Sequence, residues 1–184
     1  MLPMVAESSD NPVVAAVFER LKRRWGTVLN LYRVLAWSPE LVRAWAAFAS
    51  SLRFEMSVSR KLRELLVIRI AALLKAGYEY EHHLQMARGE GITEEQVAAL
   101  YEWKDSGLFD KSERVVLALA DDLALKPGAS RETMAALQMI FSERDCIELL
   151  VTGSFYCGVA KIINSAQVEL ESDHASFRWR GFSK

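Results

Sequence analysis

The sequence predicts an all-α fold, and three observations lead to that prediction. Helix start signals, each a capping Ser, Thr or Asn or a proline, recur before segments whose apolar residues follow helical spacing. No segment of the sequence shows the sustained apolar–polar alternation, closed by hairpin turns, that is typical of strands. A chain of 184 residues with 51% hydrophobic and 26% charged residues is long and apolar enough to form one domain with its own core.

Local start and stop signals predict the helices of the first half in order. Asn11-Pro12 supplies a cap followed by a proline at the first helical position. Ser38-Pro39 repeats this signal, and Gly77 is expected to punctuate the end of the helix that Ser59 caps. The predicted helices are Val13–Trp25, Thr27–Trp37, Glu40–Leu52, a helix from the Ser59 cap to about Ala76, and Tyr78–Gly89.

The second half follows the same rules. Thr93-Glu-Glu-Gln96 is a capping box, in which the Thr and Gln side chains each satisfy a backbone N–H of the first turn. Lys126-Pro127-Gly128 ends the next long helix, and Ser130 and Ser142 are caps for the last two. The predicted helices are Glu94–Trp103, Lys111–Leu125, Arg131–Phe141 and Glu143–Ala166.

Composition and charge set the expected organisation and surroundings of the protein. We expect residues 1–10 to be a flexible N-terminus, 11–170 to form the helical domain, and 171–184 to be an aromatic and basic tail. A net charge of −1 gives no electrostatic reason to expect nucleic acid or an anionic membrane as a partner. The N-terminus lacks the regions of a signal peptide, and no apolar run approaches the roughly 20 residues that span a bilayer, so a cytoplasmic protein is expected.

Two predicted helical segments are apolar on nearly every side. Only Arg69 interrupts Leu65–Leu74, and only Lys161 is charged within Gly153–Ile163. Helices of this kind must be buried all round. We therefore expect subunit contacts to cover part of these segments in a homo-oligomer, a dimer, trimer or hexamer.

The two cysteines do not form an obvious redox pair. Cys146 and Cys157 lie in one predicted helix, where eleven residues correspond to about 16 Å, well beyond the roughly 7 Å between Cα atoms that a disulfide allows. We expect both to be small buried apolar residues. A redox role would require a partner from another chain or a broken helix.

A stretch of about thirty residues, Ser59 to Arg88, carries a recognisable motif. Its framework is Glu64, an apolar run, and then Ala76, Glu79 and His83 at the start of the next helix. This stretch resembles the core motif of the carboxymuconolactone decarboxylase and alkylhydroperoxidase D-like family, in which a helix opens on Arg-x-x-Glu and the following helix carries Cys-x-x-Cys-x-x-x-His.

The resemblance implies an alkylhydroperoxidase D-like helical bundle, an obligate oligomer, and a site at the matched positions. It assigns the proton-relay glutamate to Glu64 and the histidine to His83, while Ala76 and Glu79 stand in place of the two cysteines. In the thiol enzymes of the family, Glu and His draw protons from the cysteines and the thiolate attacks a peroxide. That chemistry is expected to be absent here, whereas the decarboxylase chemistry of the family requires no thiol.

The residues themselves support an acid–base site with some open alternatives. Glu79 and His83 are at i and i+4, so they are neighbours on one helical face, and the carboxylate would raise the basicity of the imidazole. Alternatively they are an exposed pair that stabilises the helix.

A simple hairpin turning at Gly77 leaves Glu64 about 18 Å back along its helix, whereas His83 lies about 9 Å along its own helix. Contact would then require crossed helices, a water or another chain, and Glu64 could instead serve the helix dipole.

Further residues have two interpretations each. Tyr78 and Arg69 are candidates for lining a substrate pocket, but Tyr78 is more typical of packing and Arg69 of a buried ion pair. Glu64, Glu79 and His83 could bind a divalent metal, although no further His or Cys lies nearby in sequence. We expect no cofactor, and we expect a small-molecule ligand.

Three classes of function remain open from the sequence. The first is a thiol-independent acid–base enzyme acting on a small carboxylated or lactone-like metabolite through Glu79, His83 and Glu64. The second is a peroxidase-related protein with lost or altered redox function. The third is a non-catalytic, oligomeric, ligand-binding helical protein.

Overall fold

The fold is all-α over the part of the chain that the computed structural model describes, residues 2–172. These residues form no strand, which confirms the predicted class. Residues 173–184, with most of the predicted aromatic and basic tail, lie outside the described residues. The helices are α1 Pro12–Trp25, α2 Asn30–Leu35, α3 Pro39–Phe54, α4 Arg60–Leu73, α5 Gly77–Gly89, α6 Glu94–Ala98 followed by a 3₁₀ turn Ala99–Glu102, α7 Lys111–Leu125, α8 Arg131–Gln138 and α9 Glu143–Ala166.

Most of the predicted caps are present. The Asn11 side chain accepts the N–H groups of Val13 and Val14. Thr93 and Gln96 form the reciprocal bonds of the capping box at the start of α6. Ser38 differs, since α3 begins at Pro39 without a hydrogen bond from the Ser38 side chain. The proline and the extended backbone before it are sufficient to start that helix.

Besides α4, which ends at Leu73 rather than at about Ala76, three helices are shorter than predicted. The second begins at Asn30 rather than Thr27, because Gly26 takes a left-handed φ of 80° and Leu29 remains extended. The helix after Thr93 tightens into the 3₁₀ turn from Ala99, and α8 stops at Gln138 instead of Phe141. The N–H groups of Ile140 and Phe141 both bond to the carbonyl of Leu137, which closes the chain into a turn.

The described residues separate into two compact units. The first comprises residues 2–55 and 163–172 and holds α1, α2, α3 and the end of α9. Its α1 and α3 pack together through buried apolar faces spaced at helical intervals. Before α1, Val5 accepts a hydrogen bond from the Arg33 side chain and donates its N–H to the Arg33 carbonyl.

The second unit, residues 56–162, is built around α4. That helix packs against α5 and α7, and Leu65, Leu66 and Ile68 are fully buried within the single chain. The burial of its apolar surface therefore requires no subunit contact. The homo-oligomer stays a prediction.

Helix α9 is unusually long and apolar. Among residues 2–172 it is the one helix whose length and composition would suffice to cross a membrane, whereas the sequence was expected to contain no apolar run of that length. Of the apolar window that meets this criterion, 56% is buried. Core helices of soluble proteins share these features, so the observation is weak evidence for a membrane span.

Candidate active site

The first part of the site comes from the opening turn of α4. Ser59 caps the helix by accepting the N–H of Leu62. Arg60 and Glu64 follow at i and i+4, and Arg60 Nε lies 2.7 Å from Glu64 Oε1. The family motif has arginine three residues before this glutamate, where the present chain has Lys61. Lys61 pairs with Glu113 instead, at 2.6 Å, so Arg60 is the cation that binds Glu64.

The turn between α4 and α5 decides whether Glu64 reaches the second helix. Helix α4 ends at Leu73, Lys75 adopts a left-handed φ of 54°, and the N–H of Ala76 bonds to the carbonyl of Ala71. The chain therefore reverses before Gly77, which is the first residue of α5 rather than the end of α4. Glu64 then lies about 14 Å from the end of its helix and His83 about 9 Å from the start of its own. Side chains can span this difference of about 5 Å between the two positions. The hairpin predicted to turn at Gly77 gave a larger difference between them.

Glu64, Glu79 and His83 meet in what we call the Glu–His–Glu cluster. His83 Nδ1 lies 2.6 Å from Glu64 Oε2, and His83 Nε2 lies 2.9 Å from Glu79 Oε1. The three residues are 3%, 4% and 2% exposed, respectively. The expectation of an exposed helix-stabilising pair is thus wrong for Glu79 and His83, and Glu64 contacts His83 directly.

The cluster must hold a proton in each of its two nitrogen–oxygen contacts. Carboxylate oxygens and an unprotonated ring nitrogen are all acceptors, so neither contact is favourable without a proton between the atoms. Burial would lower the pKa of His83, but the carboxylates of Glu64 and Glu79 outweigh it and raise that pKa to about 9. Burial would likewise raise the pKa of Glu64, yet His83 and Arg60 hold it below its usual value. Arg60, the imidazolium and the two carboxylates together carry no net charge.

Helix α9 packs against the cluster through Tyr156. The buried ring of Tyr156 meets the His83 ring edge-on, with 4.8 Å between centroids and planes at 78°. On the other side, Arg60 Nη2 lies 3.6 Å from Met86 Sδ. None of these three residues was predicted from the sequence to belong to the site. Arg60 could have been found from its i,i+4 spacing to Glu64, whereas no local signal connects Tyr156 with His83.

The other candidate residues contribute differently. Tyr78 is buried and stacks on His82 at 4.4 Å between centroids. His82 is 3% exposed, and its Nδ1 lies 2.9 Å from the Tyr78 carbonyl oxygen. Arg69 forms the buried ion pair that the sequence favoured for it: Nε lies 2.7 Å from Asp121 Oδ1, and Nη1 donates to the Leu100 carbonyl at 2.8 Å.

The metal-binding alternative does not fit this geometry. Within residues 2–172, no group of three or more His, Cys, Asp or Glu side chains is arranged to hold a metal ion. Both ring nitrogens of His83 already face carboxylate oxygens, so no lone pair of the ring converges with Glu64 and Glu79 on a common centre.

The cysteines take no part in the cluster. Cys146 and Cys157 are free thiols buried in the apolar core of the second unit, as expected. Burial raises the pKa of both thiols and so disfavours the reactive thiolate.

A cavity of about 400 Å³ lies between α1 and α3 of the first unit. It is lined by Pro12, Val13, Ala16, Val17, Arg20 and Arg43. None of the cluster residues lines it, and its two arginines are exposed.

Comparisons with known proteins support the motif and the fold. The model of the carboxymuconolactone decarboxylase family matches residues 39–122, which include the whole cluster. The chain is 27% identical over 73 residues to the uncharacterized protein YdfG of Bacillus subtilis, a match covering 40% of this chain and 50% of YdfG. The chain thus spans half the length of that curated relative.

Solved structures with low sequence identity share the fold. The debrominase Bmp8 in its apo form has a TM-score of 0.78 and 19% identity, covering 96% of each chain. An uncharacterized peroxidase-related protein from Silicibacter sp. TM1040 has a TM-score of 0.79 and 18% identity, covering 96% of this chain and 94% of its own. The alkylhydroperoxidase AhpD core protein from Ralstonia eutropha has a TM-score of 0.74 and 16% identity, covering 95% and 92%. These similarities establish an alkylhydroperoxidase D-like fold and no particular activity.

Proposed function

We propose that this chain is a thiol-independent acid–base enzyme of the carboxymuconolactone decarboxylase family, whose model matches residues 39–122. Its substrate is a small metabolite that is carboxylated or lactone-like. The observation that carries the proposal is the Glu–His–Glu cluster, in which a buried imidazole is bonded to a carboxylate at each ring nitrogen, at 2.6 Å and 2.9 Å. Such a cluster stores protons and can supply or accept one without a thiol.

Glu79 is the group we propose to face the substrate, because it occupies the motif position of the second cysteine. In a decarboxylation, the bond between the substrate carbon and its carboxylate breaks, carbon dioxide leaves, and the electron pair remains on carbon next to a carbonyl. The Nε2 proton of the His83 imidazolium then passes through the Glu79 carboxylate to this carbon and completes the product. His83 is left as a neutral imidazole, a proton from water restores the imidazolium, and Glu64 stabilises its charge at Nδ1.

The same groups can catalyse an isomerisation, in which the proton first moves from the substrate to the protein. The Glu79 carboxylate would remove a proton from a carbon beside a carbonyl and return it at another carbon. Both reactions consume or return one proton and require neither an oxidant nor a reductant. This agrees with the absence of a thiol at Ala76 and Glu79.

The proposal is tested by incubating the protein with a panel of small carboxylated lactones and keto acids in deuterium oxide. Deuterium incorporation at carbon and loss of carbon dioxide are followed by NMR. We expect Glu79→Gln and His83→Gln to reduce the rate about 100-fold or more, since acid–base groups contribute roughly 10²–10⁴. Glu113→Gln removes another buried carboxylate outside the cluster and is the matched control.

Two outcomes would contradict the proposal. Equal loss of rate in Glu113→Gln would indicate damage to the fold rather than to the site. Turnover that survives in both cluster variants but disappears when Cys146 and Cys157 are replaced by serine would move the chemistry to the thiols.

A non-catalytic ligand-binding protein is the second candidate, and one observation favours it. Glu64, Glu79 and His83 are each less than 5% exposed and satisfy one another, as a purely structural polar network would. In that case panel compounds would bind, as seen by their NMR line widths, without exchange or release of carbon dioxide in the wild-type protein.

A further inference from the structure

Arg60 holds the side of Glu64 that His83 does not contact. Its Nε lies 2.7 Å from Glu64 Oε1, while Glu64 Oε2 faces His83 Nδ1 at 2.6 Å. The Arg60 side chain is 8% exposed, and its Nη2 reaches Met86 Sδ on α5 at 3.6 Å. The guanidinium is therefore fixed between the two helices, and each oxygen of Glu64 has its own cationic neighbour.

One proton lies in the short contact between Glu64 and His83, and it has two possible positions. On His83 Nδ1 it leaves an imidazolium beside a carboxylate, and on Glu64 Oε2 it leaves a neutral imidazole beside a carboxylic acid. Nearby charges decide between these states, since a cation favours the ionised carboxyl group. A guanidinium stays protonated throughout the accessible pH range, so its influence is constant.

Charged and titratable groups reach the cluster from α4, α5 and α9. On α4, Arg63 also lies near Glu64, but its Nε donates to the Val58 carbonyl. On α5, Glu79 faces the opposite ring nitrogen, where it favours an imidazolium. On α9, the Tyr156 ring packs against His83. Arg60 is the cation bonded to Glu64 Oε1, and unlike the His83 imidazolium it does not exchange a proton with that carboxylate.

We propose that Arg60 is a positioning residue that keeps Glu64 ionised and thereby holds the shared proton on His83 Nδ1. His83 is then an imidazolium that presents a second N–H, on Nε2, to Glu79. An imidazolium is a far stronger acid than a neutral imidazole, so Arg60 makes His83 able to reprotonate Glu79. This inference rests on the proposed function for its catalytic meaning, but the position of the proton is a property of the protein alone.

The test is ¹⁵N NMR of the histidine rings, which distinguishes protonated from unprotonated nitrogen and requires no substrate. In the wild-type protein at pH 7, both ring nitrogens of His83 should show the protonated signature. In Arg60→Gln the Nδ1 signal should shift towards the unprotonated position, whereas Arg60→Lys, which retains a cation, should restore the wild-type signals. Lys61→Gln removes a neighbouring cation of the same helix that pairs with Glu113 and is the matched control.

Three results would overturn the inference. The first is a neutral His83 in the wild-type protein at pH 7, a measurement that stands even if Arg60→Gln does not fold. The second is an unchanged imidazolium in a folded Arg60→Gln protein, and the third is a neutral ring in a folded Arg60→Lys protein. If the wild-type panel shows no turnover while the NMR result holds, the proposed function fails and the proton placement stands.

Discussion

Raising the pH should destabilise the folded protein through His83, and replacing Glu64 by glutamine should weaken this dependence. Burial opposes protonation of His83, but Glu64 and Glu79 raise its pKa from an ordinary value of 6.5 to about 9. Between these pH values the folded protein binds a proton that the unfolded chain has lost. The stabilisation is therefore fully present below about pH 6.5 and is lost as the pH rises through 9.

The magnitude follows from the two pKa values. A shift of this size corresponds to about 3 kcal/mol in total, and about 2 kcal/mol of it should disappear between pH 6 and pH 8.5. That loss is large against the 5–15 kcal/mol by which typical domains are stable. Glu64→Gln removes one of the two carboxylates that favour the imidazolium, so its free energy of unfolding should fall less over the same interval.

The assay is urea denaturation followed by circular dichroism at half-unit steps from pH 6 to pH 8.5. The other titratable groups, including the cysteines, are the same in both proteins. The difference in free energy of unfolding between wild type and Glu64→Gln therefore isolates the contribution of the cluster. An NMR titration of His83 provides the same information directly. A wild-type free energy of unfolding that is constant over this interval, or parallel curves for the two proteins, would refute the reasoning.

Further predictions concern packing, thiol chemistry and assembly. A Cβ on Gly153 would lie 2.5 Å from Leu123 Cδ1, whereas a Cβ on Gly158 would meet nothing within 4 Å. Gly158→Ala should therefore exceed Gly153→Ala in free energy of unfolding by about 1–3 kcal/mol, and similar melting curves would contradict this. Peroxide consumption with a dithiol reductant should be at background and unaffected by replacing Cys146 and Cys157 with serine; turnover lost in that double variant would show thiol chemistry. Light scattering at micromolar concentration should give a dimer, trimer or hexamer, and a stable monomer would exclude the predicted oligomer.

The sequence determined where most helices begin. A cap such as Asn11 or the Thr93 and Gln96 capping box acts on N–H groups within its own first turn, so a few adjacent residues suffice to predict it. Helix ends were predicted less well, because turns such as those after Ala98 and Gln138 depend on packing as well as on local residues.

The same division holds within the site. The sequence alone made Glu79 and His83 neighbours, because residues four apart share one face of any α-helix. Arg60 and Glu64 have this spacing too, and the pair could have been predicted on the same basis. Such contacts follow from helical geometry and depend little on the rest of the fold.

Tertiary structure decided the contacts that join different helices. Glu64 reaches His83 because α4 ends early and Lys75 turns the chain with a left-handed backbone, and Tyr156 reaches His83 across more than seventy residues of sequence. The sequence favoured an ion pair for Arg69 over a place in a pocket, but only the packing of α7 supplied its partner, Asp121. The physical reason is that helical periodicity fixes which residues share a face, whereas turn conformation and packing fix which faces meet.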